Sequence, residues 1–296
     1  MNDQAAMEQS TFPSQDQLSQ IKMRLNLFTV GIYYSNSETP SAENVYHSSG
    51  VLVRIKDRFF ILTSGQVAKQ LNANKMVGVS ISRKNNRYLF KDQDELTNKT
   101  GKVNYVCDAQ SDHGYIEIPK VESTMYSANA KTFLNIANSE SMTSQQLLEK
   151  NDWLGMAGYP QNITEAGEQS KGFNFTTIVG QSQQPDGLAL SSTLPLDNPS
   201  IHCHAFCRQE ALHTEPPSRM ENDFPPIAGL GGSGVWLMNH EGNQDWQLKD
   251  IRLIGILTGE YSKYQSVSGK DYCTGISVSI KKHLELLKSD FDDLDL

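Results

Sequence analysis

The sequence predicts an all-β fold, a sandwich or barrel of many short strands. Short runs rich in Val, Ile, Tyr, Phe and Thr recur from Leu27 onward, and Gly, Asn, Asp and Ser separate them. Helical periodicity is confined to a few short segments, so the strand–helix alternation of a parallel α/β sheet is missing. Lys56-Asp57-Arg58 forms a tight polar break between two apolar runs, which signals a hairpin.

Taken in order, residues 1–13 read as a tail, and Gln15 to Leu25 as a short helix in which Leu18, Ile21, Met23 and Leu25 are loosely periodic. Strands are expected near 27–34, 49–55, 59–63, 76–82, 86–90, 102–107, 114–118, 153–158, 173–180, 187–192, 200–206, 234–238, 251–258 and 273–277. A turn or two of helix follows Gln66, from Val67 to Leu71, and another short helix is expected near 144–149. The last helix covers 279–287, where Ile280, His283, Leu284 and Leu287 share one face. The acidic stretch 289–296 reads as a solvated tail. The mixed polar region 120–150 divides the chain into two halves, and no repeat of fixed period is present.

Composition excludes some classes. A hydrophobic content of 38% is enough for a real core. A net charge of −8 and a pI near 5.4 oppose nucleic-acid and anionic-membrane binding. No apolar run approaches the roughly 18–20 residues of a membrane span. Met1 to Gln20 contains no Lys or Arg and no apolar stretch, so a secretory leader is not expected. Cys107, Cys203, Cys207 and Cys273 read as reduced thiols of a cytoplasmic protein, which makes the sequons at Asn98, Asn162 and Asn174 chance matches.

Five segments carry a resemblance. They are His47-Ser48-Ser49-Gly50-Val51-Leu52-Val53, Phe59-Phe60-Ile61-Leu62-Thr63-Ser64-Gly65-Gln66-Val67, Asp112-His113-Gly114-Tyr115-Ile116-Glu117-Ile118, Gly229 to Leu237, and Leu253-Ile254-Gly255-Ile256-Leu257-Thr258-Gly259. In this order they resemble the early strand, base segment, orienting-carboxylate segment, nucleophile loop and cleft-wall strand of the trypsin-like serine peptidases. The resemblance implies two six-stranded antiparallel β-barrels, about 26–125 and 145–276, followed by the C-terminal helix. It places Gln66 at the general base, Asp112 at the orienting carboxylate and Gly231 at the nucleophile. It also implies an oxyanion and peptide-binding wall from Gly229, Gly231, Gly232, Thr258 and Gly259. Val67 stands where secreted members usually carry a disulfide cysteine.

The chemistry then fails at two points. A hydroxyl needs an adjacent base to become a nucleophile at neutral pH. Histidine serves because it titrates there, and an amide such as Gln66 does not. Gly231 has no side chain. A shifted register, Gly231-Gly232-Ser233-Gly234, makes Ser233 an alternative nucleophile, but the base is still absent. His113 and His47 are weak substitutes, since His113 alternates away from Asp112 along a strand. Backbone donors survive side-chain loss, so a carbonyl-binding pocket could persist.

Other motifs carry less. His202-Cys203-His204-Ala205-Phe206-Cys207, with His213, suggests a metal cluster, but strand alternation places Cys203 opposite His202 and His204. Gly229–Gly234 lacks the Gly-Lys-Ser/Thr ending of a phosphate loop. No metal or cofactor is expected. The sequence therefore points to a catalytically inactive homologue that binds a protein or peptide. The alternative is a serine endopeptidase, active through Ser233 or inactivated by engineering at Gln66 and Gly231.

Overall fold

Two antiparallel sheets, a few short helices and three apolar cores make up the fold of the computed structural model, which describes residues 13–37, 45–73, 76–80, 87–90, 101–108, 111–136, 153–159, 175–181, 201–207, 212–213, 230–238, 251–265 and 271–294. The first half contributes α1 (Gln15–Phe28), β1 (Thr29–Ser35), β2 (Tyr46–Ile55), β3 (Arg58–Thr63), α2 (Gly65–Ala73), β4 (Met76–Ser80), β5 (Arg87–Phe90), β6 (Val103–Asp108), β7 (Ser111–Ile118), α3 (Lys120–Ala128) and β8 (Leu134–Asn135). The second half contributes β9 (Trp153–Gly158), β10 (Thr176–Gln181), β11 (Ile201–Cys207), β12 (Leu212–His213), β13 (Gly234–Met238), β14 (Ile251–Gln265), β15 (Asp271–Ser279) and α4 (Ile280–Asp290).

The first sheet runs β5-β4-β1-β2-β3-β7-β6, with β8 joining β2 in a short parallel pairing. The second runs β11-β15-β14-β13-β9-β10-β12. Neither path closes on itself among the described residues, so the expected six-stranded barrels are seen as sheets of eight and seven strands. The expected strand 187–192 and the helix near 144–149 lie outside the described residues.

Alternation along the central strands sorts their side chains into different cores. Leu52, Ile61 and Ile116 enter a core belonging to the first sheet, with Val30, Ile32, Val67 and Leu71. Leu154, Met156, Val235 and Leu237 enter a core belonging to the second. Their neighbours Val51, Val53, Phe60, Leu62, Tyr115, Trp153, Ala157, Trp236 and Met238 meet in a third core between the sheets. These strands are buried on both faces, which is why they read as continuous apolar runs rather than as an alternating pattern.

Helix α1 and the segment that follows α4 both enter that central core. Leu18, Ile21, Leu25 and Phe28 of α1 lie buried in it at helical spacing. The expectation of a loosely periodic N-terminal helix is thereby corrected. The stripe continues three residues past Leu25 to Phe28, while Met23 lies outside it and is exposed. Ser14 and Gln17 start the helix with reciprocal bonds: Gln17 N donates to Ser14 Oγ at 3.2 Å and Ser14 N to Gln17 Oε1 at 2.7 Å. At its other end the buried Lys131 Nζ donates to Asn26 O at 2.7 Å and Thr29 O at 2.6 Å. A cation there suits the unsatisfied carbonyls of a helix C-terminus.

The tail beyond α4 is likewise docked rather than solvated. Phe291 and Leu294 are buried. The Phe291 ring packs 5.6 Å from Phe60 and 5.8 Å from Tyr115, with the Arg58 guanidinium 4.4 Å above it. The acidic residues around it are paired, Asp290 with Lys102 at 2.8 Å and Asp293 with Arg58 at 3.2 Å. Charge marked this stretch as solvent-facing, and the two apolar side chains within it decided otherwise. α3 fills part of the region expected to separate the halves and buries Tyr126.

Ile21→Ala is expected to destabilise the protein by about 2–5 kcal/mol in urea unfolding, the usual range for such a truncation at a well-packed core position. Met23→Ala, on the exposed face of the same helix, should change stability by less than about 0.5 kcal/mol.

Candidate functional site

β3 ends at Thr63, and the chain turns directly into α2. Ser64 begins the helix: Val67 N donates to Ser64 Oγ at 3.3 Å and Ala68 N to Ser64 O at 3.0 Å. Gly65 fits because a Cβ there would collide with Val106 O on β6. Gln66 follows in the first turn with its side chain exposed. Its backbone N–H donates to Asp112 Oδ1 at 2.6 Å. Gly65 N–H bonds the same carboxylate. Asp112, placed opposite Cys107 in the β6–β7 ladder, thus caps the helix that presents Gln66.

Burial pushes the Asp112 carboxyl up to about 6, against the opposing pull of the Gln66 and Gly65 amides and the Cys107 thiol. Burial and then the nearby Asp112 raise the Cys107 thiol, so it has no activated-thiolate character although it is exposed and free. Asp112 and His113 point to opposite sides of β7, as strand alternation requires. His113 is buried, with Nδ1 2.7 Å from Ser111 Oγ and its ring 5.4 Å from His283 of α4. It is therefore a core histidine rather than a surface one. His47 is half-buried at the start of β2, opposite Tyr33.

The glycine loop of the second half is seated on the first sheet. Ser49 N donates to Gly231 O at 2.9 Å. Gly232 has φ +84, and a Cβ there would overlap Ser49 O and Thr63 Oγ1. The position therefore needs glycine twice over, for its backbone angle and for the close approach. Thr63 Oγ1 itself donates to Ser49 O at 2.8 Å. On the other side Gly232 N donates to Leu257 O at 2.7 Å, and Leu257 N donates to Ser233 O at 2.8 Å. The loop is thus tied to β14 by its own backbone and pressed against the end of β3, three residues before Gln66.

Gln66 and Asp112 meet at the start of α2, while Gly231 and Gly232 touch the first sheet at Ser49 and Thr63. Gly231 is half-buried, while Ser233 is fully buried. Ser233 Oγ has no hydrogen-bond partner and lies against the Cα of Gly158 on β9. Thr258 Oγ1 turns to Ile276 O on β15 at 3.2 Å. Gly259 falls in the register shift of β14 between Leu257 and Tyr261. Gly229 lies outside the described residues. Ser49, Thr63 and His283 were missed by the sequence reading. His283 was on the apolar face of the last helix, and that placement was the available signal. Among the described residues no group of three or more His, Cys, Asp or Glu is arranged to hold a metal, and the side chains of 201–207 are not among those described. No helix among the described residues is long and apolar enough to cross a membrane.

No family model and no curated protein matches this chain. Solved structures do. A thermostable serine protease, AL20, from an extremophilic microorganism matches with a TM-score of 0.45 and 10% identity, over 87% of this chain and 94% of that one. The protease Anisep from Arthrobacter nicotinovorans matches with a TM-score of 0.45 and 9% identity, over 85% and 89%. A chain from a structure concerned with coupled folding and binding of the disordered Sesbania mosaic virus VPg protein matches with a TM-score of 0.41 and 13% identity, over 86% of both. The likeness to serine proteases is coarse, and the reading of the site stands on its own geometry.

Gly232→Ala should cost more than about 2 kcal/mol in urea unfolding, since it combines a disfavoured backbone angle with a backbone clash. Asp112→Asn tests the carboxyl. Between pH 6 and 3.8 the folded chain holds the Asp112 proton more tightly than the unfolded chain, so acid favours folding through this one group. Relative to wild type, the Asn variant should therefore be most favoured at pH 7 and lose that advantage progressively as the pH falls from 6 to 3.8, read from urea midpoints.

Proposed function

We propose that this protein is a trypsin-like scaffold without acyl-transfer chemistry, which binds an extended segment of a protein or peptide. The reading is carried by what stands at the two positions the resemblance assigns to a base and a nucleophile, an exposed Gln66 and Gly231, with the hydroxyl of Ser233 turned into the interior. An exposed amide, a carboxyl engaged in helix capping and a glycine supply neither proton transfer nor a covalent step. The buried Ser233 weighs against the shifted register in which it would be the nucleophile.

Binding is supported by β14. Its residues Ile251 to Ile256 pair with β13, and beyond the register shift Tyr261 to Gln265 pair with β15 alone among the described strands. Backbone on the other side of that second part can accept an added strand. The glycine loop, tied to Leu257, borders it. The exposed free thiol of Cys107 supports residence in a reducing compartment such as the cytoplasm.

A fluorophosphonate probe tests the loss of chemistry. Wild-type protein is expected to stay unlabelled, and labelling at Ser233 would refute the reading. Gln66→His combined with Gly231→Ser is expected to give measurable labelling and casein cleavage. An inert double variant that folds normally would show that more than two side chains separate this scaffold from an active one.

A further inference from the structure

We infer that His113 and His283 form a proton-operated latch that couples the C-terminal helix to the segment presenting Gln66. This goes beyond the binding reading above and does not depend on it. The two imidazoles come from distant parts of the chain, β7 and α4, and are 5% and 1% exposed. Their rings meet edge to face at 5.4 Å. His283 Nε2 lies 3.1 Å from Thr63 O, and Nδ1 lies 3.3 Å from Ser279 O. Both partners are carbonyl acceptors. A neutral imidazole has one N–H and can serve only one of them, whereas an imidazolium would serve both but would lie buried beside a second histidine. The site is therefore held between two demands, hydrogen bonding and desolvation.

Desolvation prevails at neutral pH. Burial, with Lys282 adding to it, lowers His113 to about 4, and burial with His113 lowers His283 to about 3. The charged and titratable groups acting on the pair are Asp108 on the β6–β7 hairpin, Lys282 on α4 and, for His283, the His113 ring itself. A proton entering the pair opposes Lys282 and the partner imidazole; Asp108 and the carbonyls of Thr63 and Ser279 favour it, and burial outweighs them. Release of α4 removes this penalty, because a solvated histidine titrates near 6.5. Acid thus pulls the latch open. The first bond lost is the one to Thr63 O, and Thr63 also carries the hydroxyl against which the glycine loop is seated. Loosening Thr63 loosens both sides of the candidate site.

The sign of the effect isolates the pair. Each histidine favours the open form by up to about tenfold for each pH unit below 6.5. Asp112 acts in the opposite direction over the same range. Asp290 and Asp293 are held below the ordinary carboxylate value and act only at more acidic pH.

Amide hydrogen exchange on the full chain at pH 7 and pH 5, corrected for intrinsic rates, tests this. In the wild type, the opening of 63–66 and 280–287 should increase at least tenfold at pH 5. In the double variant His113→Phe with His283→Gln, which keeps an aromatic contact and a donor to Thr63 O but does not titrate, the increase should stay below threefold. An unchanged wild type, or an equal response in the variant, would overturn the latch. If the variant does not fold, NMR titration of the seven wild-type histidines decides. Two imidazoles still neutral at pH 5 support the inference, and seven titrating between 6 and 7 overturn it.

Discussion

The apolar layer between the two sheets is the constraint on which the rest of the molecule depends. Phe60, Leu62 and Tyr115 from the first sheet and Trp153, Trp236 and Met238 from the second share it with both terminal helices. Burial at about 25 cal/mol per Å² of apolar surface makes this layer the main force holding the halves in register. The candidate site is a product of that register. Gly232 can press on Ser49 O and Thr63 Oγ1 only because the sheets are already locked face to face behind it. The hydrogen bonds at the junction are few and individually worth about 1 kcal/mol, so they fix alignment rather than drive association.

The surroundings of positions 66 and 231 are set by the backbone rather than by the side chains that stand there. The requirements of the backbone remain visible: Gly65 under Val106 O, Asp112 on the first turn of α2, Gly232 in a left-handed conformation. Each of these is a packing or capping demand that persists whatever side chain stands at 66 or 231. Asp112 illustrates the point, since its cap of α2 uses backbone amides alone. A carboxylate that caps a helix in this way carries no implication that a base beside it is at work.

Much of the strand content was legible because both faces of β2, β3, β9 and β13 are buried, leaving unbroken apolar runs such as Val51-Leu52-Val53 and Val235-Trp236-Leu237. The junction of Gln66 with Asp112 was legible through the resemblance alone, since nothing in residue spacing reports that β3 and β7 are neighbours. The direction of Ser233 was not legible. Two adjacent glycines permit two loop registers, and the burial of Ser233 is a property that residue spacing does not report. The docked tail was misread because Asp290, Asp292 and Asp293 dominate its composition, while Phe291 and Leu294 determine where it goes.

The shared core has a consequence for how the chain reaches its native state. Helix α1 precedes both sheets in the chain, yet it shares its burial with Leu287, Phe291 and Leu294, which follow both sheets. Until those residues leave the ribosome, an amphipathic helix and one face of the first sheet lack their last covering. The first half therefore has no finished hydrophobic surface of its own, and its apolar layer closes only once the later residues are in place.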